Sequence, residues 1–582
     1  MSREDRPVRI ANCSGFYGDR MTALYDMATG GHVDVITGDY LAEVTMLVLA
    51  KARLKDPAAG YARTFAAQLE PALPAIAERG IKVVVNAGGL NPAGLADAVR
   101  ALLDRRGAAL TVAYVDGDDV LPRLGEDGLV RHLTGGGPPS AWPYEPLTAN
   151  AYLGGFGVAR ALERGADIVV TGRVADASVV SGAAAWWWGW TPGDLDALAG
   201  AVAAGHVIEC GAQATGGNFS GFADVPGLER PGFPIAEIAA NGDTVITKHP
   251  GTGGRVSADT VTAQLLYEVG APAYLNPDVT THLDALGLRD LGGDRVAMTG
   301  ARGTPPPPTT KVAVTALGGW QNSGTFVLTG LDIDAKADLV ERTVRAGLDG
   351  VAGVDALTFT RIGRAAEDPA EQELGAALLK VSVRGTEKAA GRAFSGMLVE
   401  MALSSYPGHH QMAPPGRGGS YGEYWPGLIA QAELAHRVVH ADGGSEIVAP
   451  PPVTETPGAA VAPEPEPYAG GATRTLPLGR VAYARSGDKG GDGNVGIWAP
   501  DAAAWPWLRA ALTVEALRKL LPEAAGLEIS RYELPNLRAV NFVIHGLLGE
   551  GATSTTRFDK QAKALAEWVR ARHLPVPEHL TA

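Results

Sequence analysis

Short apolar runs bounded by glycine and polar residues recur along the first half of the chain. Val8–Asn12, Val33–Ile36, Ile81–Val85, Leu110–Val115 and Ile168–Val170 read as strands buried on both faces. Between them lie stretches of helical spacing, at 41–54, 59–79, 95–106 and 148–164. Strands alternating with helices in this way predict right-handed βαβ units. The class expected for residues 1–290 is therefore α/β, with a doubly wound, largely parallel sheet. Each strand is followed by glycine with Asp, Asn, Thr or Arg: Cys13–Arg20, Thr37–Glu43, Asn86–Asn91, Asp116–Asp119 and Thr171–Asp176. Such loops gather at the carboxyl edge of a sheet, where open α/β folds bind ligands.

The pattern shifts after Asp224. Residues 242–248 are hairpin-like, and the glycine-rich loop His249–Gly254 precedes a helical stretch from Ser257. Residues 295–408 alternate strands with helices near Ala335–Ala346 and Lys388–Leu403, which predicts an antiparallel α+β region. Ala449–Gly471 is rich in Pro, Glu and Ala and reads as an extended linker. Leu476–His573 has strands and helices of its own, a compact α+β unit. The expected division is a core at 1–290, an α+β continuation at 291–445, a linker at 446–474 and a tail domain at 475–582. Few contacts are expected to cross such a linker, so the tail should be separable.

Composition narrows the partners. At 582 residues the chain exceeds one core. Its net charge of −14 argues against a nucleic-acid surface or a general anionic-membrane surface. No apolar run reaches membrane-spanning length and no secretory signal pattern opens the chain, which points to the cytoplasm. Two cysteines, Cys13 and Cys210, supply neither a disulfide framework nor a zinc ligand set. His409 and His410 are adjacent, and adjacent histidines in a strand face opposite ways. No metal and no cofactor are expected.

The densest chemistry lies between Ala166 and Gly221. Arg173 and Asp176 follow the strand Ile168–Val170 by a few residues, so the backbone should deliver them to the ligand edge. Capping and turn formation explain Gly, Asn and Asp in any one loop. They do not require Arg20 or Arg173, so a cleft of carboxylates and arginines accounts better for the set. The acid–base candidates are Asp39, Glu43 and Asp176. Cys210 is a candidate nucleophile with His206 upstream, against the plain alternative of a buried structural thiol. Arg20, Asn86, Asn91, Arg173 and Gln213 are candidate substrate-binding residues. Lys248, before its glycine-rich loop, suggests a phosphate cradle or a plain tight turn. In the tail, the polar loop holding Arg485, Asp488 and Lys489 binds an anion or stabilises its own turn by ion pairing. No GxSxG elbow is present and no GxGxxG follows the first strand, which argues against ordinary α/β-hydrolase and dinucleotide sites.

Several segments together resemble the acyclic terpene utilisation (AtuA) family: GFYGDR (15–20), GDYLAEVT (38–45), VNAGGLNP (85–92), NAYLGG (150–155), ADIVVTGRVADAS (166–178), IECGAQATGGNFSG (208–221), KHPGTGGRVS with its helix (248–269) and YLNPDV (274–279). ARSGDKGGDGNVGIW (484–498) and LPNLRAVNFVIHGLLGEG (534–551) are similar to that family's appended ferredoxin-fold domain. The resemblance implies a pathway that degrades citronellol- and geraniol-type compounds through acyl-CoA thioesters. It implies a two-domain layout but no set of catalytic residues. The resulting expectation is an enzyme acting on a small-molecule carboxylate or acyl-CoA, as lyase, hydratase or hydrolase. The rival is a non-catalytic scaffold or accessory subunit of an acyl-CoA-metabolising complex. Homo-oligomerisation is the default for such a chain.

Overall fold

The computed structural model describes residues 6–458, 460 and 465–581. These form two compact units. One comprises the residues up to 315, 424–552 and those from 561 on; the other comprises 316–423 with 553–560. This division differs from the segments expected at 1–290, 291–445 and 475–582. Part of the expected linker lies outside the described residues; the described parts of 449–471 carry neither helix nor strand. Among the described residues no helix is long and apolar enough to cross a membrane.

The first unit is built on an eleven-stranded sheet. Its centre is parallel: Val8–Asn12, Val35–Gly38, Lys82–Val85, Ile168–Thr171 and Val112–Asp116 lie side by side in that order. Alternate side chains point to opposite faces. Ile10, Val35, Val84 and Val169 therefore pack with the helices Phe156–Glu163, Ser178–Trp188 and Leu195–Ile208. Ala11, Ile36, Val83 and Val170 pack with Thr64–Arg79 and Pro92–Arg106.

The sheet as a whole is mixed, which corrects the expectation of a largely parallel one. Pro234–Ile238 pairs antiparallel to Val8–Asn12, and Thr244–Lys248 and Val296–Thr299 continue in the same sense. On the far edge His436–Val439 pairs antiparallel to Val112–Asp116. Short connections such as 239–243 cannot make the crossover that a parallel neighbour needs, so these strands fold back as hairpins. The stretch 148–164 also differs from its helical reading: Pro146–Ala151 is a strand, and the helix starts at Phe156.

The tail has its own core around Ile497, Leu508, Phe542 and Val569, under the antiparallel sheet Tyr483–Lys489, Asp492–Trp498, Ala539–Ile544 and Ile529–Leu534. It does not stand apart. Asn541 donates to the Val269 and Gly270 carbonyls at 2.9 and 2.7 Å, and Trp498 Nε1 donates to Asp259 at 2.9 Å. Trp498, Leu534 and Leu537 join the main core. Apolar and hydrogen-bonded contacts therefore cross the linker after all.

In the second unit, Val354–Ile362, Ala376–Gly385 and the later half of Thr309–Thr329 form an antiparallel sheet. Leu379, Val381 and Val383 face the helices Ile333–Leu348 and Phe394–Glu400. The expected helix Lys388–Leu403 begins with a π-helical stretch, Glu387–Ala393.

Candidate functional site

Three parallel strands deliver polar side chains from their carboxyl ends. Asp39 follows Val35–Gly38 and is buried. Its Oδ1 accepts the Asn86 amide at 2.5 Å and the Leu41 N–H at 3.1 Å, while Asn86 Oδ1 accepts the Tyr40 N–H at 2.7 Å. Asn86 thereby locks the two loops together. Arg173, two residues past Ile168–Thr171, is only 3% exposed. Its N–H donates to Asp118 at 2.9 Å and its Nη1 to the Leu41 carbonyl at 2.9 Å. Its Nη2 lies 3.2 Å from Asp176 Oδ1, and its guanidinium lies over Tyr152, 4.1 Å from the ring centroid.

Glu43 opens the helix Glu43–Lys55, where the positive end of the helix dipole favours an acid. It pairs with Lys311 Nζ at 3.2 Å and accepts the Tyr152 hydroxyl at 3.4 Å. The far wall comes from the end of Leu195–Ile208. There Glu209 meets His206 Nδ1 at 3.1 Å, and Cys210 follows, half-buried. Gly15 lets the first loop press against this turn, because a Cβ there would stand 2.7 Å from the Cys210 carbonyl carbon.

The tail closes the ring. Glu268 sits past the helix Ala258–Leu265 at φ +57, a conformation costly for a residue with a Cβ. Its N–H is held by Asn494 Oδ1 at 2.9 Å, and Lys489 Nζ donates to its carbonyl at 3.2 Å. Lys563 Nζ donates to the Tyr267 hydroxyl at 3.0 Å, and Arg485 lies over the Tyr267 ring at 4.2 Å. Arg485 also donates to the Gln213 side chain and to the Asn218 carbonyl.

These charges act on one another as a single cluster. Burial and then the Asp176 charge push Asp39 and Glu209 well above the usual carboxylate range. Burial likewise raises Glu268 and brings Asp488 up to about 7, with Glu268 and Glu43 adding to the second. For Glu43 burial works upward too, but Lys311 and Arg173 outweigh it and bring the carboxyl down to about 2. Burial, then Lys311, lowers the Lys489 ammonium. Burial holds His206 down at about 4 and, with Glu209, pushes the Cys210 thiol well up. Both shifts favour the neutral forms of Glu209 and His206.

Several of these groups are desolvated yet still reachable. The side chains of Glu43, Asp176 and Lys311 keep 26%, 32% and 33% of their surface accessible, and Lys489 is exposed. Charged groups hemmed in by protein but open to solvent are what the walls of a polar cavity present. Buried donors and acceptors nearly always find partners, yet among the described residues Arg173 Nε, Arg485 Nε and Glu209 Oε2 have none. Among the described residues no group of three or more His, Cys, Asp or Glu side chains is arranged to hold a metal ion.

Two family models match the chain. The model for acyclic terpene utilisation family protein AtuA covers residues 8–440, and that for the AtuA ferredoxin-like domain covers 476–575. The chain belongs to the acyclic terpene utilisation family. Membership suggests involvement in acyclic terpene utilisation. Comparison with curated proteins and with solved structures finds no match.

Within this AtuA chain, the sequence-derived candidates Asp39, Glu43, Asn86, Arg173, Asp176, Cys210, Gln213, Arg485 and Lys489 fall in or directly against the cluster. Others go elsewhere. Lys248 is buried, paired with Asp294 at 3.0 Å and donating to the Thr252 carbonyl at 2.7 Å. Its loop glycines serve backbone packing: a Cβ at Gly253 would stand 2.1 Å from the Gly227 carbonyl oxygen. That favours the tight turn over the phosphate cradle. Asn91 caps the helix Pro92–Arg106 through Gly94 and ties down Ala58, and it lines a second, open cleft of about 410 Å³ with Asp116, Asp119 and Arg437. Arg20 lies over the Phe233 ring at 5.1 Å.

Tyr152, Glu209, Tyr267, Glu268, Lys311 and Lys563 were not among the sequence candidates. Glu268 did carry a signal, an acid at the carboxyl end of a helix where the dipole disfavours it. Lys311 sits in an otherwise apolar strand, KVAVTA, and carried no comparable signal.

Proposed function

We propose that the chain is an enzyme of acyclic terpene utilisation that acts on a branched carboxylate or its CoA thioester by acid–base chemistry. The observation that carries this reading is the convergence of Glu43, Arg173, Asp176, Glu209, Glu268, Lys311 and Lys489 from separate elements into one solvent-reachable cluster. Burial favours the neutral forms of Asp39, Glu209 and Glu268, which leaves the cations to favour an anionic ligand. Arg173 Nε and Lys311 are the donors for its carboxylate or carbonyl oxygen. These carboxyls and Asp488 are the proton donors, and Asp176 is the base.

A lyase or hydratase fits these groups better than a thiol hydrolase, because a thiol pushed well up supplies little thiolate. A scaffold would have no use for desolvated charges gathered at one interior point. The experiment incubates the full chain with geranic and citronellic acids and their CoA thioesters, and follows products by mass spectrometry. Turnover that Asp176→Asn abolishes in a folded protein supports the reading. Undiminished turnover in that variant, or no turnover and no binding with any of the four probes, contradicts it.

A further inference from the structure

The sheet of the second unit has one apolar face and one polar face, and only the apolar face is explained by packing. On Ala376–Gly385, Leu379, Val381 and Val383 point to the helices. Lys380, Ser382 and Arg384 alternate with them and point the other way. Register repeats the pattern across the neighbours: Thr325, Ser323 and Gln321 stand opposite them on one side, and Thr360 and Thr358 stand opposite Lys380 and Ser382 on the other. A face of hydroxyls, one amide and two cations is thus laid across three strands.

The segment 553–560 covers part of this face, with Thr358 and Thr556 hydroxyls 3.5 Å apart. Between them lies a cleft of about 270 Å³, lined chiefly by Gln321, Ser323, Lys380, Ser382, Thr556 and Lys560. Among the described residues no carboxylate lines it. Lys380 and Lys560 are half-buried, and among the described residues neither is paired with an acid. Lys560 is destabilised as an ammonium by burial and then by Lys380 and Arg384. Gly418 and Gly419 bring backbone to the rim. A Cβ at Gly418 would meet the Gln321 carbonyl oxygen at 2.5 Å, and its φ of +70 suits glycine.

Like charges gathered without a counter-ion, among hydroxyl donors and in a partly enclosed space, call for an anion. We propose that this cleft is a phosphate-binding site, separate from the acid–base cluster of the first unit and independent of the function proposed for it. Two sources share the chemistry: free inorganic phosphate, and a phosphate monoester carried on a larger metabolite.

The test is isothermal titration of the full chain with inorganic phosphate and, separately, with adenosine 3′,5′-bisphosphate. At least one should bind, and Lys380→Gln/Lys560→Gln should weaken it by about ten- to hundredfold, as loss of charge-assisted hydrogen bonds implies. Tighter binding of the bisphosphate than of phosphate identifies a carried ester; equal affinities identify the free ion. Ser382→Ala is the companion variant should the double variant fail to fold, and it should weaken binding severalfold. Failure of both probes to bind at millimolar concentration would overturn the proposal. So would unchanged affinity in a folded Lys380→Gln/Lys560→Gln protein or, if that one does not fold, in Ser382→Ala.

Discussion

Arg173→Lys keeps a positive charge and removes the fork. In the native protein Nη1 holds the Leu41 carbonyl at 2.9 Å while Nη2 faces Asp176 at 3.2 Å, and the plane rests on Tyr152. One ammonium can serve either partner but not both. The lost hydrogen bond is charge-assisted and buried, worth about 1.5–3 kcal/mol. Weaker stacking on Tyr152 adds about 0.5–2 kcal/mol. The variant should therefore lose roughly 2–5 kcal/mol of stability, as well as affinity for an anionic ligand. At 3% exposure the fork serves the packing of the strand ends as well as any ligand.

The assay is urea denaturation of the full chain followed by tryptophan fluorescence, reading the midpoint of the first transition because a chain of this size need not unfold in one step. Asp176→Asn and the double variant complete a cycle. Their coupling should be about 0.5–3 kcal/mol, with the double variant less damaged than the sum of the singles. An unchanged midpoint in Arg173→Lys, or strict additivity with Asp176→Asn, would refute the geometry.

Asp118 accepts the Arg173 N–H and the Asn150 amide, and burial brings it up to about 7. Because the folded value lies above the unfolded one, near 3.9, its contribution to stability is complete below pH 4 and is lost as pH rises to 7. Relative to Asp118→Asn, the native chain should lose roughly 3–4 kcal/mol across that window at about 1.4 kcal/mol per pH unit; a flat difference would contradict the assignment. Lys311→Met removes the nearest cation from Glu43, whose carboxyl should climb from about 2 by about one to two units. The acid limb of a pH–rate profile should move up with it, and an unmoved limb would show that Glu43 does not set it. Ending the chain before Thr473 should give an insoluble product without ligand binding, because Asn494, Asn541 and Trp498 support the main unit. A soluble, ligand-binding fragment 1–472 would contradict that.

The chain reveals its strand ends more readily than its walls. Asp39, Asn86 and Arg173 were legible because an apolar run followed by glycine and a polar residue places that residue at a known edge. Lys311 and Tyr152 were not, because their approach to Glu43 depends on strands distant in sequence, and no local period encodes such pairing. The parallel centre was likewise legible from strand–helix alternation. The antiparallel flanks were missed because a short apolar run looks the same whichever way its neighbour points. Composition marked the linker, but the docking of the tail rests on Asn494 and Asn541, whose partners are backbone groups more than two hundred residues away.

The central claim, that the interior cluster is the substrate site, is tested most directly by a crystal structure of the Asp176→Asn variant with geranic acid or its CoA thioester. The carboxylate or thioester carbonyl should lie within hydrogen-bond distance of Arg173 Nε or Lys311 Nζ, with the branched chain passing Cys210. Ligand found only in the open cleft beside Asn91 and Arg437, with the interior cluster holding water alone, would contradict it.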